Sequence, residues 1–170
     1  MRNIPGNVGY AQPPHLFLND RGGFRDVASQ AGGGFERARV GRGLAVGDFD
    51  NDGDVNLLLT TNNGPAVLFR NDRQSANKSL RVRLVGVTSN RDAIGATVRI
   101  THGGITQTRL VRSGSSYLSQ SELPVTFGVG TRDTIERLVV TWPNGRVDDF
   151  KNVSTGKAYE IVEGQNIRQK

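Results

Sequence analysis

The stretch Asp48-Phe49-Asp50-Asn51-Asp52-Gly53-Asp54-Val55-Asn56 decides how this chain is read. It sets four carboxylates within seven residues of a chain whose net charge is +6. So dense a set of like charges repels itself unless a cation sits among them. Asp48, Asp50 and Asp52 alternate, and Gly53 follows where the chain must turn sharply. That spacing is the front half of a calcium loop, in which hard oxygen ligands at positions one, three and five surround a hard cation. The backbone carbonyl at position seven, here Asp54, adds an oxygen, and the Asn56 side chain at position nine closes the shell. The expected metal ligands are therefore Asp48, Asp50, Asp52, Asp54 and Asn56, with Ca2+ as the ion.

A helical EF-hand needs a bidentate Glu at position twelve, and here that position is Leu59. The flanks, Gly43-Leu44-Ala45-Val46-Gly47 and Val55-Asn56-Leu57-Leu58-Leu59-Thr60-Thr61, are short apolar runs that read as strands. The expectation is a strand–loop–strand calcium site. A plain solvated turn would also use Asp, Asn and Gly, but it has no need of three alternating aspartates.

The run from Gly43 to Asp54 resembles the signature of FG-GAP/VCBS repeats, the blades of integrin-α-type β-propellers. The resemblance implies that the Asp-rich loop joins two strands of a blade and binds calcium. It assigns the ligands to Asp48, Asp50, Asp52, the Asp54 carbonyl and residue 56. The family usually carries Asp at that last position, so Asn56 implies a weaker site.

The chain has 170 residues, enough for one good core or two small ones. Gly is abundant at 22, aromatics are few, and Thr/Val/Leu runs recur between turn residues, which is an all-β composition. There is no cysteine, so no disulfide staples the fold. No apolar run approaches the length of a membrane span. Met1-Arg2-Asn3-Ile4-Pro5-Gly6 has no apolar run of the signal-peptide type. A basic balance of 22 Lys+Arg over 16 Asp+Glu raises the question of nucleic acid. But Arg81, Arg83, Arg99, Arg109, Arg112 and Arg137 alternate with apolar residues, the pattern of a solvated sheet face, and no stacking aromatics accompany them. No nucleic-acid partner is expected.

Residues 1–14, rich in Pro and Gly, read as an extended arm. His15 to Ala28 reads as strand, Gly-rich turn, strand. Leu16-Phe17-Leu18-Asn19-Asp20-Arg21 recurs 52 residues later as Leu68-Phe69-Arg70-Asn71-Asp72-Arg73. The first copy is followed by Gly23-Phe24-Arg25-Asp26-Val27-Ala28, but after the second copy that strand is missing. Residues 15–76 are thus the end of one blade and most of another. Either the hairpin pairs with the strands of the Asp loop in one free-standing sheet, or partners complete it; exposed sheet edges invite added strands.

Residues 77–170 form a second unit. Leu80-Arg81-Val82-Arg83-Leu84-Val85 and Ala96-Thr97-Val98-Arg99-Ile100-Thr101 alternate cleanly. Leu138, Val140 and Trp142 share one face, as do Tyr159 and Ile161. Roughly seven short strands at this spacing make a β-sandwich or barrel. The fold class expected is all-β: a partial blade-like antiparallel sheet packed on or linked to a β-sandwich or barrel. Leu80-Arg81-Val82-Arg83-Leu84-Val85-Gly86, Ser89-Asn90-Arg91-Asp92-Ala93-Ile94-Gly95-Ala96, Val111-Arg112-Ser113-Gly114-Ser115-Ser116-Tyr117-Leu118-Ser119-Gln120, Phe127-Gly128-Val129-Gly130 and Val140-Thr141-Trp142-Pro143-Asn144-Gly145 resemble the ASPIC/UnbV domain. That domain commonly follows FG-GAP/VCBS repeats, as in CRTAC-like secreted proteins. The resemblance implies extracellular adhesion, matrix or interaction roles.

No catalytic constellation appears. Ser113 to Tyr117 is serine-rich without the G-x-S-x-G elbow, and the two histidines, His15 and His102, read as surface residues. Arg91-Asp92 reads as a loop-fixing ion pair. The leading expectation is a secreted, calcium-binding structural or interaction protein of adhesion type, not an enzyme. It would self-assemble into a filament or other homo-oligomer by β-strand addition at its sheet edges or N-terminal arm. A carbohydrate- or surface-binding module is the alternative, and a hydrolase built on the Asp cluster is a third reading.

Overall fold

The computed structural model describes residues 9–20, 22–72 and 75–170. Arg21 and Arg73, which end the two copies of the repeat, and residues 1–8 of the arm lie outside the described residues. Alternating apolar positions produce strands throughout, and the only helical element described is one short 3-10 turn, Ala28–Gln30.

The C-terminal strands are β6 (Lys78–Val85), β7 (Thr97–His102), β8 (Ile105–Leu110), β9 (Val125–Gly130), β10 (Thr134–Thr141), β11 (Val147–Ser154), β12 (Lys157–Val162) and β13 (Arg168–Gln169). They form two four-stranded sheets, ordered β11-β10-β7-β8 and β13-β12-β6-β9. All pairs are antiparallel except β6 with β12, which runs parallel from Lys157 opposite Leu80 to Val162 opposite Val85. Val98 and Ile100 from β7 and Ile135, Leu138 and Val140 from β10 meet Leu80, Val82, Phe127 and Ile161 from the other sheet. Each of these nine has no measurable exposure. The period-2 alternation of β-strands is what delivers one face of every strand to this core. Burying a side chain of this size contributes about 1.5–3 kcal/mol.

Three buried polar groups fasten the sandwich at its ends. Asp148 Oδ2 accepts from Trp142 Nε1 at 2.7 Å and from the Gly164 amide at 2.9 Å. Glu163 Oε2 accepts from the Val87, Thr88 and Ser89 amides at 2.7, 2.8 and 2.8 Å, and Asn144 Nδ2 donates to Oε1 at 2.6 Å. Burial by itself would raise the Glu163 carboxyl, but these donors outweigh it and hold the group at about 2. His102 is the third group. It is buried, with Nε2 2.9 Å from Gln107 Nε2, and is not the surface histidine expected from its place at a turn. His15 does lie at the surface, 2.6 Å from Asp26. The loop at Arg91-Asp92 is closed by Asn90, which both accepts from the Ile94 amide and donates to the Ile94 carbonyl at 2.8 Å, not by the expected ion pair.

The N-terminal half is built differently. β1 (Phe17–Asp20) and β2 (Gly23–Asp26) make a two-stranded hairpin with Leu18 opposite Arg25 and every residue exposed. β3 (Gly41–Gly47), β4 (Asn56–Thr61) and β5 (Val67–Phe69) make a separate antiparallel sheet in that order. The hairpin does not join it, so the single free-standing sheet is not what forms. The two copies of the repeat therefore sit in different sheets: Phe17 begins β1, and Phe69 ends β5. Phe35 packs against Phe69 in a tilted pair with ring centroids 4.6 Å apart and is the one large hydrophobic of this half that becomes buried among the described residues.

Candidate metal centre

The Asp-rich loop is the connection between β3 and β4, as the flanking apolar runs predict. Two residues give it its turn: Asn51 at φ 58° and Gly53 at φ 92°. Asn tolerates the left-handed region better than most residues, and Gly enters it without steric cost. Space argues for Gly53 as well, since a Cβ there would lie 3.1 Å from Ser79 Oγ.

This turn brings Asp48, Asp50 and Asp52 together, each offering one carboxylate oxygen within 4.8 Å of the others. Asp48 is buried, and Asp50 and Asp52 are exposed. Asp48 Oδ2 accepts from the Gly53 amide at 3.2 Å and from Arg81 Nη1 at 2.8 Å. Its other oxygen, Oδ1, is buried with no hydrogen-bond partner. A buried carboxylate oxygen without a partner is costly, and a bound cation would supply what it lacks. Asp52 Oδ1 accepts from the Asp54 amide at 2.8 Å, an Asx-type closure of the loop. Burial, followed by the charges of Asp52, Asp48 and Asp50, pushes the Asp54 carboxyl above its ordinary range. A bound divalent cation would reverse that field.

Asn56, the ninth residue of the loop, is 2 % exposed. Its Oδ1 accepts from the Asn71 amide at 2.8 Å, which fixes the orientation of the side-chain amide. Nδ2 then faces the loop, donating to Asp50 Oδ1 at 3.3 Å and to the Asp54 carbonyl at 3.4 Å. Asn56 thus ties the loop to the chain just beyond β5. It also touches, with N–H groups, two of the oxygens assigned to the cation.

Sequence reasoning missed two members of the site. The alternation around Arg81 predicts a solvated sheet face, but its side chain is only 15 % exposed and joins Asp48. Its Nη1 also donates to Asn51 Oδ1 at 3.2 Å, and its Nη2 donates to Glu122. The signal was the bare alternation around Arg81, which cannot say whether the outer face meets water or another part of the chain. Glu122 comes from the segment between β8 and β9, and its amide donates to the Val46 carbonyl at 3.0 Å. Burial pushes the Glu122 carboxyl above its ordinary range, against the lowering pull of Arg81. The same segment approaches β3 closely at Gly43, where a Cβ would lie 2.3 Å from Ser119 Oγ and 2.9 Å from the Tyr117 carbonyl. A cleft of about 500 Å³ opens beside the loop, with Asp52, Asp54 and Asp72 facing Lys78, Ser79 and Lys157.

Residues 86–168 match the family model described as ASPIC and UnbV. The match begins just after β6, although β6 is a central strand of the sandwich. The chain is also 32 % identical over 127 residues to human cartilage acidic protein 1, covering 72 % of this chain and 19 % of that protein. Against the Xenopus tropicalis and mouse cartilage acidic protein 1 the identities are 32 % and 33 % over the same length, with the same coverage. The chain therefore spans about a fifth of the length of the curated relatives it matches. These matches support the ASPIC/UnbV reading of the C-terminal sandwich, in a chain similar to vertebrate cartilage acidic protein 1.

Proposed function

We propose that this chain is an extracellular structural or interaction protein of adhesion type, in which the Asp48–Asn56 loop holds Ca2+ and the exposed strands join copies into a homo-oligomer or filament. The observation that carries the metal reading is Asp48 Oδ1: buried, unpartnered, and clustered with oxygens of Asp50 and Asp52 within 4.8 Å. All-oxygen ligation of this kind suits a hard divalent cation. Asp48, Asp50 and Asp52 would hold the ion by their carboxylates and Asp54 by its carbonyl. Asn56 would join them only by releasing the Asn71 amide. Bound calcium would offset the repulsion of the loop and hold β3 and β4 in register.

The extracellular setting is supported by the ASPIC/UnbV match and by the FG-GAP/VCBS resemblance of the loop. Assembly is supported by the exposed hairpin, whose Phe17 and Phe24 lie 57 % and 74 % exposed. A sugar-binding role gains nothing from the sandwich's tryptophan: Trp142 is buried and bonded to Asp148, unavailable for stacking. The reading is of a non-enzymatic protein.

Isothermal titration with CaCl2 tests the metal, using the wild type and Asp50→Ala. Saturable binding in the wild type, lost in the variant, is expected; no heat in either would overturn it. Negative-stain electron microscopy with and without chelator tests assembly. Filaments or closed rings are expected, and dispersed small particles at high concentration would overturn that part.

A further inference from the structure

We infer that Arg81 is a positioning residue: it presents Asp48 to the cation and, with Glu122 balancing its charge, couples the occupied loop to the stability of the sandwich. The inference rests on the calcium reading above and extends it from the loop to the second unit.

Arg81 lies on β6 between Leu80 and Val82, neither of which has measurable exposure. Strand alternation therefore turns Arg81 out of the core and onto the outer face of the sheet. There it meets the Asp loop. Its guanidinium is a fork, and the prongs serve different partners. Nη1 donates to Asp48 Oδ2 and Asn51 Oδ1, while Nη2 donates to Glu122. Ser79, two residues earlier on the same face, donates from Oγ to the Gly53 carbonyl at 2.8 Å. One strand of the sandwich thus holds the loop at residues 48, 51 and 53.

Two consequences follow from the chemistry. Asp48 Oδ2 already accepts two hydrogen bonds, so only Oδ1 remains for a cation, and the carboxylate is locked to offer it. A cation beside a metal site would repel the ion, but Glu122 balances the Arg81 charge. The side chains of Asp48, Arg81 and Glu122 are 2 %, 15 % and 20 % exposed, so water does little to screen them. Removing the central member of a largely desolvated charged triad leaves the others without their countercharge. What steadies Asp48 on the loop side therefore steadies Arg81, and with it β6, on the sandwich side.

Trp142 makes this measurable. It is the only tryptophan in the chain and is buried in the sandwich, so a melt followed by its fluorescence reports that unit and not the loop. The experiment compares melts with saturating CaCl2 and with chelator for the wild type, Arg81→Met, Arg81→Lys and Glu122→Gln, with calcium binding followed separately by titration calorimetry. Calcium is expected to raise the wild-type Trp142 transition by roughly 5 °C. In Arg81→Met that shift should fall below half at full occupancy. Arg81→Lys keeps the charge but not the fork and should also lose most of it; it and Glu122→Gln carry the test if Arg81→Met does not fold. Variants that melt earlier by the same amount with and without calcium, keeping the full shift, would overturn the inference, because that is what a merely structural residue does. Wild-type protein that binds calcium with no response at Trp142 would overturn it while leaving the calcium reading intact. Wild-type protein that binds no calcium would overturn both.

Discussion

The two halves of this chain use apolar residues in opposite ways. In residues 78–169 Leu, Ile, Val and Phe on alternate strand positions close against one another in a sandwich, and most lie fully buried. In residues 9–72 side chains of the same kinds stay in the open: Phe24 at 74 %, Phe17 at 57 %, Phe49 at 54 % and Leu68 at 50 % exposure. A lone two-stranded hairpin is marginally stable at best, and these short strands leave most of their large apolar side chains exposed. The lesson is that the sandwich draws its stability from burial. The N-terminal half is tied to the sandwich through the Arg81 and Ser79 bonds to its Asp loop, and the proposed cation and added strands would supply the rest.

Deleting matched aromatics in the two halves gives the sharpest contrast. Phe127→Ala should cost about 3–5 kcal/mol in chemical denaturation, because the ring leaves a cavity in a closed core. Phe24→Ala should change monomer stability by less than about 0.5 kcal/mol, since nothing encloses its ring. A large loss at Phe24 would mean that the hairpin packs in solution, and the comparison would break there.

Asp50→Ala sharpens the contrast from the other side. It should abolish the calcium response of the melt while leaving the circular dichroism of the sandwich strands in place. Loss of the sandwich signal at ambient temperature would show that the halves fold only together.

Acid tests the sandwich alone. Glu163 falls from an ordinary 4.5 to about 2 in the folded state, so its stabilising effect is complete above about 4.5 and is lost as pH drops toward 2. Glu163→Gln should therefore flatten the acid limb of the stability profile between those values. A limb unchanged in the variant would mean that other carboxylates set it.

The smallest expected effect is on association. Phe24→Ser should leave the melting temperature unchanged and reduce the sedimentation coefficient at high concentration. An unaltered oligomer distribution would remove the hairpin from the contact.

The amino-acid sequence by itself determined the elements and the cluster of aspartates, because both are local. Alternation sorts Leu138, Val140 and Trp142 to one side of a strand without reference to what lies there. Asp48, Asp50 and Asp52 sit close because a turn at Asn51 and Gly53 leaves them little else to do. What only the tertiary structure decided are the contacts between residues far apart in the chain. Arg81 and Arg83 share one sequence pattern, but the loop lies against Arg81 and leaves Arg83 53 % exposed. His102 looked like a turn residue until Gln107 covered it. Glu163 carried no motif at all, and its role exists only because three amides 74 to 76 residues away converge on it. A side chain's period fixes the direction in which it points, but its environment is set by which distant segment arrives there, and that depends on how the sheets pack.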